Sequence, residues 1–238
     1  MASVVLVHGI RTSGTMWRGV SRALAAEGVQ HLAVDLPGHG SRRDQPVTLE
    51  GCRAVLDEAV VSLAPPHVVV GLSLGSYVTL DWAASTAQPP SALLLASAGT
   101  RPVGPGLAGY IAVATAIGRL PDRGHGLHTF LAEHVLDGEQ VADLAAGGLA
   151  LDAMVPTLRA VGTIDVLAAL AAIEAPIWFV NGARDHFRIE ERLLLRAART
   201  ATLQIIPRAG HLVALDQPQA FCTVLMDVVE HADASAAP

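Results

Sequence analysis

Short apolar runs recur along this chain, each set off by a longer segment of mixed polarity. Residues 4–8, 30–35, 67–71, 91–97, 176–181 and 202–207 are dominated by Val, Leu, Ile and Ala, with little polar alternation. Runs of that kind predict strands covered on both faces, because a half-exposed strand would alternate. The segments between them, at 15–27, 49–63, 74–86, 189–199 and 216–231, carry apolar residues at helical spacing. Strand and helix in alternation predict an α/β fold, a mostly parallel, doubly wound sheet. From 101 to 172 the rhythm lapses into helical runs broken by Gly and Pro, at 107–120, 127–136, 140–150 and 153–170. The expected organisation is therefore a core made of 1–100 and 173–238 with a helical insertion at 101–172, the last part of which, 163–172, belongs to the scaffold. Asp216 with Gln219 reads as a capping pair for the last helix, and the five terminal residues, 234–238, as a frayed tail.

The run at 67–71 enters Gly71-Leu72-Ser73-Leu74-Gly75, and a helical segment follows at once. Strand, G-x-S-x-G, helix is the context in which a serine is held on a sharp turn with its hydroxyl exposed. The turn needs an unfavourable backbone conformation at the serine and glycines where strand and helix approach. Strain of that kind costs on the order of 1–3 kcal/mol and is kept where function gains from it. Ser73 is the candidate nucleophile.

A serine hydroxyl needs a base, and the base needs an orienting group. Asp185 lies just past the run ending Val180-Asn181-Gly182, and His211 just past the run ending Ile206-Pro207. Both follow strands, as Ser73 does, and ligands of doubly wound sheets gather beyond the carboxyl ends of strands. The first strand runs into His8-Gly9-Ile10 at the same end. The backbone N–H of Ile10, with that of Leu74, is the candidate oxyanion hole.

The order Ser, Asp, His, together with Val7-His8-Gly9-Ile10, Asp35-Leu36-Pro37-Gly38-His39-Gly40, Asn181-Gly182-Ala183-Arg184-Asp185 and Gly210-His211, resembles the α/β-hydrolase superfamily over nearly the whole chain. The resemblance implies a serine hydrolase in which Ser73 is nucleophile, Asp185 acid and His211 base. It implies a small helical cap at 101–172 over the site, and no metal or organic cofactor. The substrate it implies is a small-molecule carboxylic ester, thioester or lactone. The apolar, alanine-rich cap points to a smallish apolar acyl group, with Ile111, Leu127 and Phe130 among the side chains expected to line its pocket. The elbow is also similar to those of enol-lactonases and of cofactor-free haloperoxidases and perhydrolases, and some members of the superfamily are slow-turnover receptors. The compact start, with no room for an antiparallel strand pair before 4–8, resembles methylesterases, hydroxynitrile lyases and small bacterial esterases. Ser76 stands where many members carry a second glycine.

Composition narrows these readings. All sixteen basic residues are arginine, which excludes lysine Schiff-base chemistry and the cap lysine on which hydroxynitrile lyases rely. A net charge of −6 offers no attraction for nucleic acid or acidic membranes. Hydrophobic residues make up 51 %, enough for one sizeable core, yet no run has the length and uniform apolarity of a membrane span. With no basic-flanked leader ahead of the first strand, a cytoplasmic location is expected. Cys52 and Cys222 read as unpaired, buried thiols. His125, His128 and His134 lack the partners of a metal motif and read as exposed or pocket-lining. His8 and His39 read as loop-bracing, His186 as either pocket-lining or on the surface, and Asp35 and Asp81 as carboxylates remote from the base. Position 96–99, where some relatives place the acid, is uncharged. Arg101, Arg119 and Arg123 read as solvated.

Overall fold

All six apolar runs become strands of one sheet in the computed structural model, which describes residues 1–236. They are β1 (Ser3–Val7), β2 (His31–Val34), β3 (His67–Leu72), β4 (Ala92–Ala96), β5 (Ile177–Gly182) and β6 (Ala201–Ile206). Every neighbouring pair is parallel, in the order β2-β1-β3-β4-β5-β6.

The helices are α1 (Arg18–Ala26, entered through a 3-10 turn at Gly14–Trp17), α2 (Leu49–Val61), α3 (Leu74–Ala83), α4 (Gly104–Ile117), α5 (His125–Val135), α6 (Gly138–Ala146), α7 (Met154–Val161), α8 (Val166–Ala172), α9 (Glu191–Ala197), α10 (Val213–Asp216) and α11 (Pro218–Ala236). They cover both faces of the sheet, and the period of two along each strand decides which residue meets which layer. Val4, Leu6, Val68, Val70 and Leu94 are buried with residues of α1 and α11 on one face. Val5, Val7, Val69, Leu93, Leu95 and Phe179 are buried with α2, α3, α8 and α9 on the other. Each such side chain stabilises the fold by about 1.5–3 kcal/mol on burial, so two interlocked layers hold the strand ends in fixed register.

The run expected at 153–170 is two helices. α7 stops at Gly162, and the Asp165 side chain starts α8 by accepting from the Ala168 N–H. α8 packs into the scaffold layer through Val166, Ala169 and Leu170. α4 and α7 instead share a small cluster of Ala114, Met154 and Leu158. The last helix starts at Pro218, not at Asp216, and the Asp216–Gln219 capping pair does not form, because Asp216 turns back to another donor, described below. Residues 234–236 continue that helix; Ala237 and Pro238 lie outside the described residues. Among the described residues no single helix is long and apolar enough to cross a membrane.

The chain leaves β1 for β2 on one side and returns through α2 to β3 on the other. That reversal opens a crevice between the carboxyl ends of β1 and β3. The register pairs Val7 with Gly71, so the loop carrying Ile10 and the turn carrying Ser73 start side by side.

Candidate active site

Ser73 occupies the turn between β3 and α3 with φ 53° and ψ −109°. That is left-handed backbone on a residue with a Cβ, which is uncommon and strained. Its flanks must be glycine. A Cβ on Gly71 would lie 2.4 Å from the Gly75 carbonyl carbon, and one on Gly75 would lie 2.2 Å from the Val7 oxygen. The Ser73 N–H donates to Ala96 O at 2.8 Å. Ser76 is accommodated in the next position and used: its Oγ lies 2.9 Å from Gly71 O and 2.8 Å from Ala96 O. The hydroxyl ties the elbow to β4.

His211, on the loop after β6, meets Ser73 and Asp185 at once. Its Nε2 is 2.9 Å from Ser73 Oγ and its Nδ1 is 2.9 Å from Asp185 Oδ2. The other Asp185 oxygen accepts from the Phe187 N–H at 2.9 Å. Burial alone would raise the Asp185 pKa; the hydrogen bond and charge of His211, with the Phe187 N–H, outweigh it and hold the carboxyl below its usual range. An ionised Asp185 requires the imidazole proton on Nδ1, which turns the Nε2 lone pair toward Ser73. The arrangement is thus able to remove a proton from Ser73 Oγ.

Three residues that the sequence did not single out for this role hold the histidine loop. Ser97, itself at φ 55°, donates its Oγ to His211 O at 2.5 Å. Asp216 accepts from the Gly210 N–H at 2.6 Å, which is why it is absent from the start of α11. Phe187 sets its ring edge-on to the His211 ring, with centroids 4.9 Å apart. None of the three has a local sequence signature, since each acts across elements.

Neither the Ile10 nor the Leu74 N–H has a hydrogen-bond partner among the described residues. Leu74 is the first residue of α3, and helix-opening N–H groups have no intrahelical acceptor. Both residues, with Ser73 and His211, line a cavity of about 460 Å³. Its far wall comes from α4, the loop before it and α7: Val103, Leu107, Tyr110 and Leu158. Ile111, Leu127 and Phe130, expected in the pocket, do not line it. Ile111 joins the α4–α7 cluster, while Leu127 and Phe130 are exposed. The phase of α4 turns Leu107 and Tyr110 to the cavity, and among the described residues none of α5 lines it.

Other candidates settle into plain structural contacts. His8 is fully buried, takes the Leu36 N–H on Nε2 and bonds Gly9 O through Nδ1. His39 bonds Pro37 O, with its ring 4.9 Å from that of His8. Asp35 accepts from Gly14 and Ser41, and Asp81 pairs with Arg53. Arg101 pairs with Glu190 and Arg123 with Asp152. His186 is on the cavity wall, and His134 bonds Phe130 O. Among the described residues no group of three His, Cys, Asp or Glu is arranged to hold a metal ion. Cys52 and Cys222 are unpaired.

Comparison with known proteins places this geometry in context. The chain is 28 % identical over 243 residues to a pimeloyl-[acyl-carrier protein] methyl ester esterase of Chromobacterium violaceum, covering 95 % of this chain and 94 % of that protein. It is 28 % identical over 213 residues to the enzyme of the same name in Stenotrophomonas maltophilia, covering 84 % and 80 %. A thermophilic esterase from Thermogutta terrifontis, solved with malate bound, superposes with a TM-score of 0.79 at 22 % identity, covering 98 % of this chain and 90 % of that one. The model of the alpha/beta hydrolase family matches residues 4–224, and by that match over most of its length the chain belongs to this family.

Proposed function

We propose that the protein is a serine esterase that works through Ser73, His211 and Asp185 by way of an acyl-enzyme. The observation that carries the reading is the continuous chain from Asp185 Oδ2 through His211 to Ser73 Oγ, two hydrogen bonds of 2.9 Å ending at a strained serine on a cavity wall. Action on an ester bond is supported by the two relatives named as methyl ester esterases.

In this mechanism Ser73 Oγ attacks the ester carbonyl while His211 Nε2 takes its proton. The oxyanion points to the N–H groups of Ile10 and Leu74, donors already fixed in place. Collapse breaks the C–O bond, and the proton on Nε2 goes to the departing alcohol. Water, deprotonated by the same nitrogen, then cleaves the acyl-Ser73 ester and returns the proton to Oγ. Asp185 keeps the imidazole in one tautomer throughout. The segment from 101 to about 158 acts as a cap, with Val103, Leu107, Tyr110 and Leu158 shaping the acyl pocket. That pocket is largely apolar, which suits a small-molecule ester, thioester or lactone.

The test is steady-state turnover of p-nitrophenyl acetate and butyrate, with the active fraction titrated by a fluorophosphonate. Saturable turnover and stoichiometric labelling at Ser73 are expected. Labelling without turnover would instead identify a slow-turnover receptor, and neither would remove the serine from the chemistry.

A further inference from the structure

We infer that the acyl pocket recognises a carboxylate, so that the preferred substrate is an ester whose acyl chain carries a second, ionised carboxyl group held by Arg11. The inference rests on the esterase reading above and adds the chemical class of its substrate.

Four observations lead to it. Among the described residues the cavity wall contains two arginines, Arg11 and Arg101, and no aspartate or glutamate. Arg101 is committed to Glu190, with Nη2 at 2.7 Å from its carboxylate. Arg11 has no carboxylate within 4.0 Å and makes no side-chain hydrogen bond among the described residues, and its Nε is buried without a partner. In a chain of net charge −6, a half-buried cation at the wall of an apolar cavity is an unbalanced charge.

The loop holds it there at a cost. Arg11 has φ 70°, left-handed backbone on a long side chain, and such conformations persist where surrounding contacts impose them. Here the imposing contact is the Arg11 carbonyl, which accepts the Ala150 N–H at 2.9 Å and so pins the loop beneath the segment between α6 and α7. The neighbouring His128 does not share the charge. Its burial, with the positive charge of Arg11, pushes its pKa down to about 4. A guanidinium without a protein partner, in surroundings of low polarity, is suited to two parallel N–H···O bonds with a carboxylate. Arg11 directly follows Ile10, the residue placed to hold the ester carbonyl oxygen. Arg11, Ile10 and Ser73 line one cavity, and the inference places the recognised carboxylate on the acyl part of the ester within it.

Two measurements test this. In the first, p-nitrophenyl hydrogen glutarate is compared with p-nitrophenyl valerate, an acyl chain of similar length without the charge. The wild type should favour the hemiester in kcat/KM by roughly 10–100-fold, the size of one charge-assisted, partly desolvated hydrogen-bond pair. Arg11→Met should bring that ratio to about one. Arg11→Asn, which tolerates left-handed backbone, gives the same test if the methionine variant does not fold. The ratio cancels any general loss of activity. The second measurement is calorimetric titration of glutarate into Ser73→Ala, with and without Arg11→Met, and it needs no turnover. Binding that disappears with Arg11 supports the site, even if no ester proves to be cleaved and the esterase reading falls. Turnover of both esters with a ratio that Arg11 substitutions leave unchanged, or glutarate binding independent of Arg11, overturns the inference and leaves the esterase reading standing.

Discussion

Replacing Asp185 by asparagine isolates the role of the carboxylate from that of its shape. In the folded protein one carboxylate oxygen accepts from Phe187 N–H and the other from His211 Nδ1, both at 2.9 Å. An asparagine has a single oxygen, and Phe187 N–H can only be satisfied by that oxygen. The amide NH₂ then faces Nδ1, which must become an acceptor, and the imidazole proton moves to Nε2. There it faces Ser73 Oγ across 2.9 Å as a donor, unable to take the serine proton. The side chain of Asp185 is fully buried, so water offers no way round this tautomer. The expected loss in kcat is about 10⁴, the scale seen when a triad aspartate is made an amide, or about 5.4 kcal/mol of transition-state stabilisation at 1.36 kcal/mol per decade. Asp216→Asn is the comparison. It lies near the same histidine, but among the described residues it accepts only from Gly210 N–H, and an asparagine oxygen accepts that bond equally well. Its loss should stay within about tenfold. The assay is p-nitrophenyl butyrate hydrolysis normalised to folded protein by circular dichroism. An Asp185→Asn variant within tenfold of wild type, or an Asp216→Asn variant as inactive as Asp185→Asn was expected to be, would refute the reasoning.

Three further outcomes follow from the same geometry. Ser73→Ala should lower kcat by roughly 10⁴–10⁶, and mass spectrometry of the fluorophosphonate-treated wild type should find the adduct on the peptide containing Ser73; an adduct elsewhere would remove it from the mechanism. Leu107→Ala or Leu158→Ala should shift acyl-chain preference by about 10–200-fold between neighbouring p-nitrophenyl esters, whereas Phe130→Ala, on the outer surface, should leave the profile unchanged. Stability should fall in mild acid through His8, whose pKa burial and the nearby His39 push down to about 3 from 6.5. Because the unfolded chain takes the proton first, this contribution is complete above pH 6.5 and is lost as pH falls from there toward 3, at up to about 1.4 kcal/mol per pH unit for one group. Urea midpoints measured from pH 7.5 to 4.5 should show this slope, and His8→Asn should flatten it.

The sequence alone determined the parts of this protein that depend on neighbours along the chain. The four inner strands, β1, β3, β4 and β5, were visible because both of their faces are buried, which leaves an uninterrupted apolar run. The strands β2 and β6, at the edges of the sheet, are half-exposed and not covered on both faces as expected. The elbow was visible because its steric demands fall within five residues: Gly71 and Gly75 are where any Cβ would strike backbone. Asp185 and His211 were legible as residues just past strand ends, since a parallel sheet brings all such ends to one edge. What only the tertiary structure decided are relations between segments far apart in sequence. The bond from Ser97 to His211 spans 114 positions, and no local pattern encodes it. Asp216 looked like a helix cap because capping is a local motif, but the folded loop brings it a competing donor in Gly210. The choice of Leu107 and Tyr110 over Ile111 depends on the rotation of α4, a helix without charges whose apolar residues show no single face. Arg11 carried no sequence signal, because an arginine in a loop is ordinarily solvated; its significance arises from the apolar cavity and the missing carboxylate that the fold places around it.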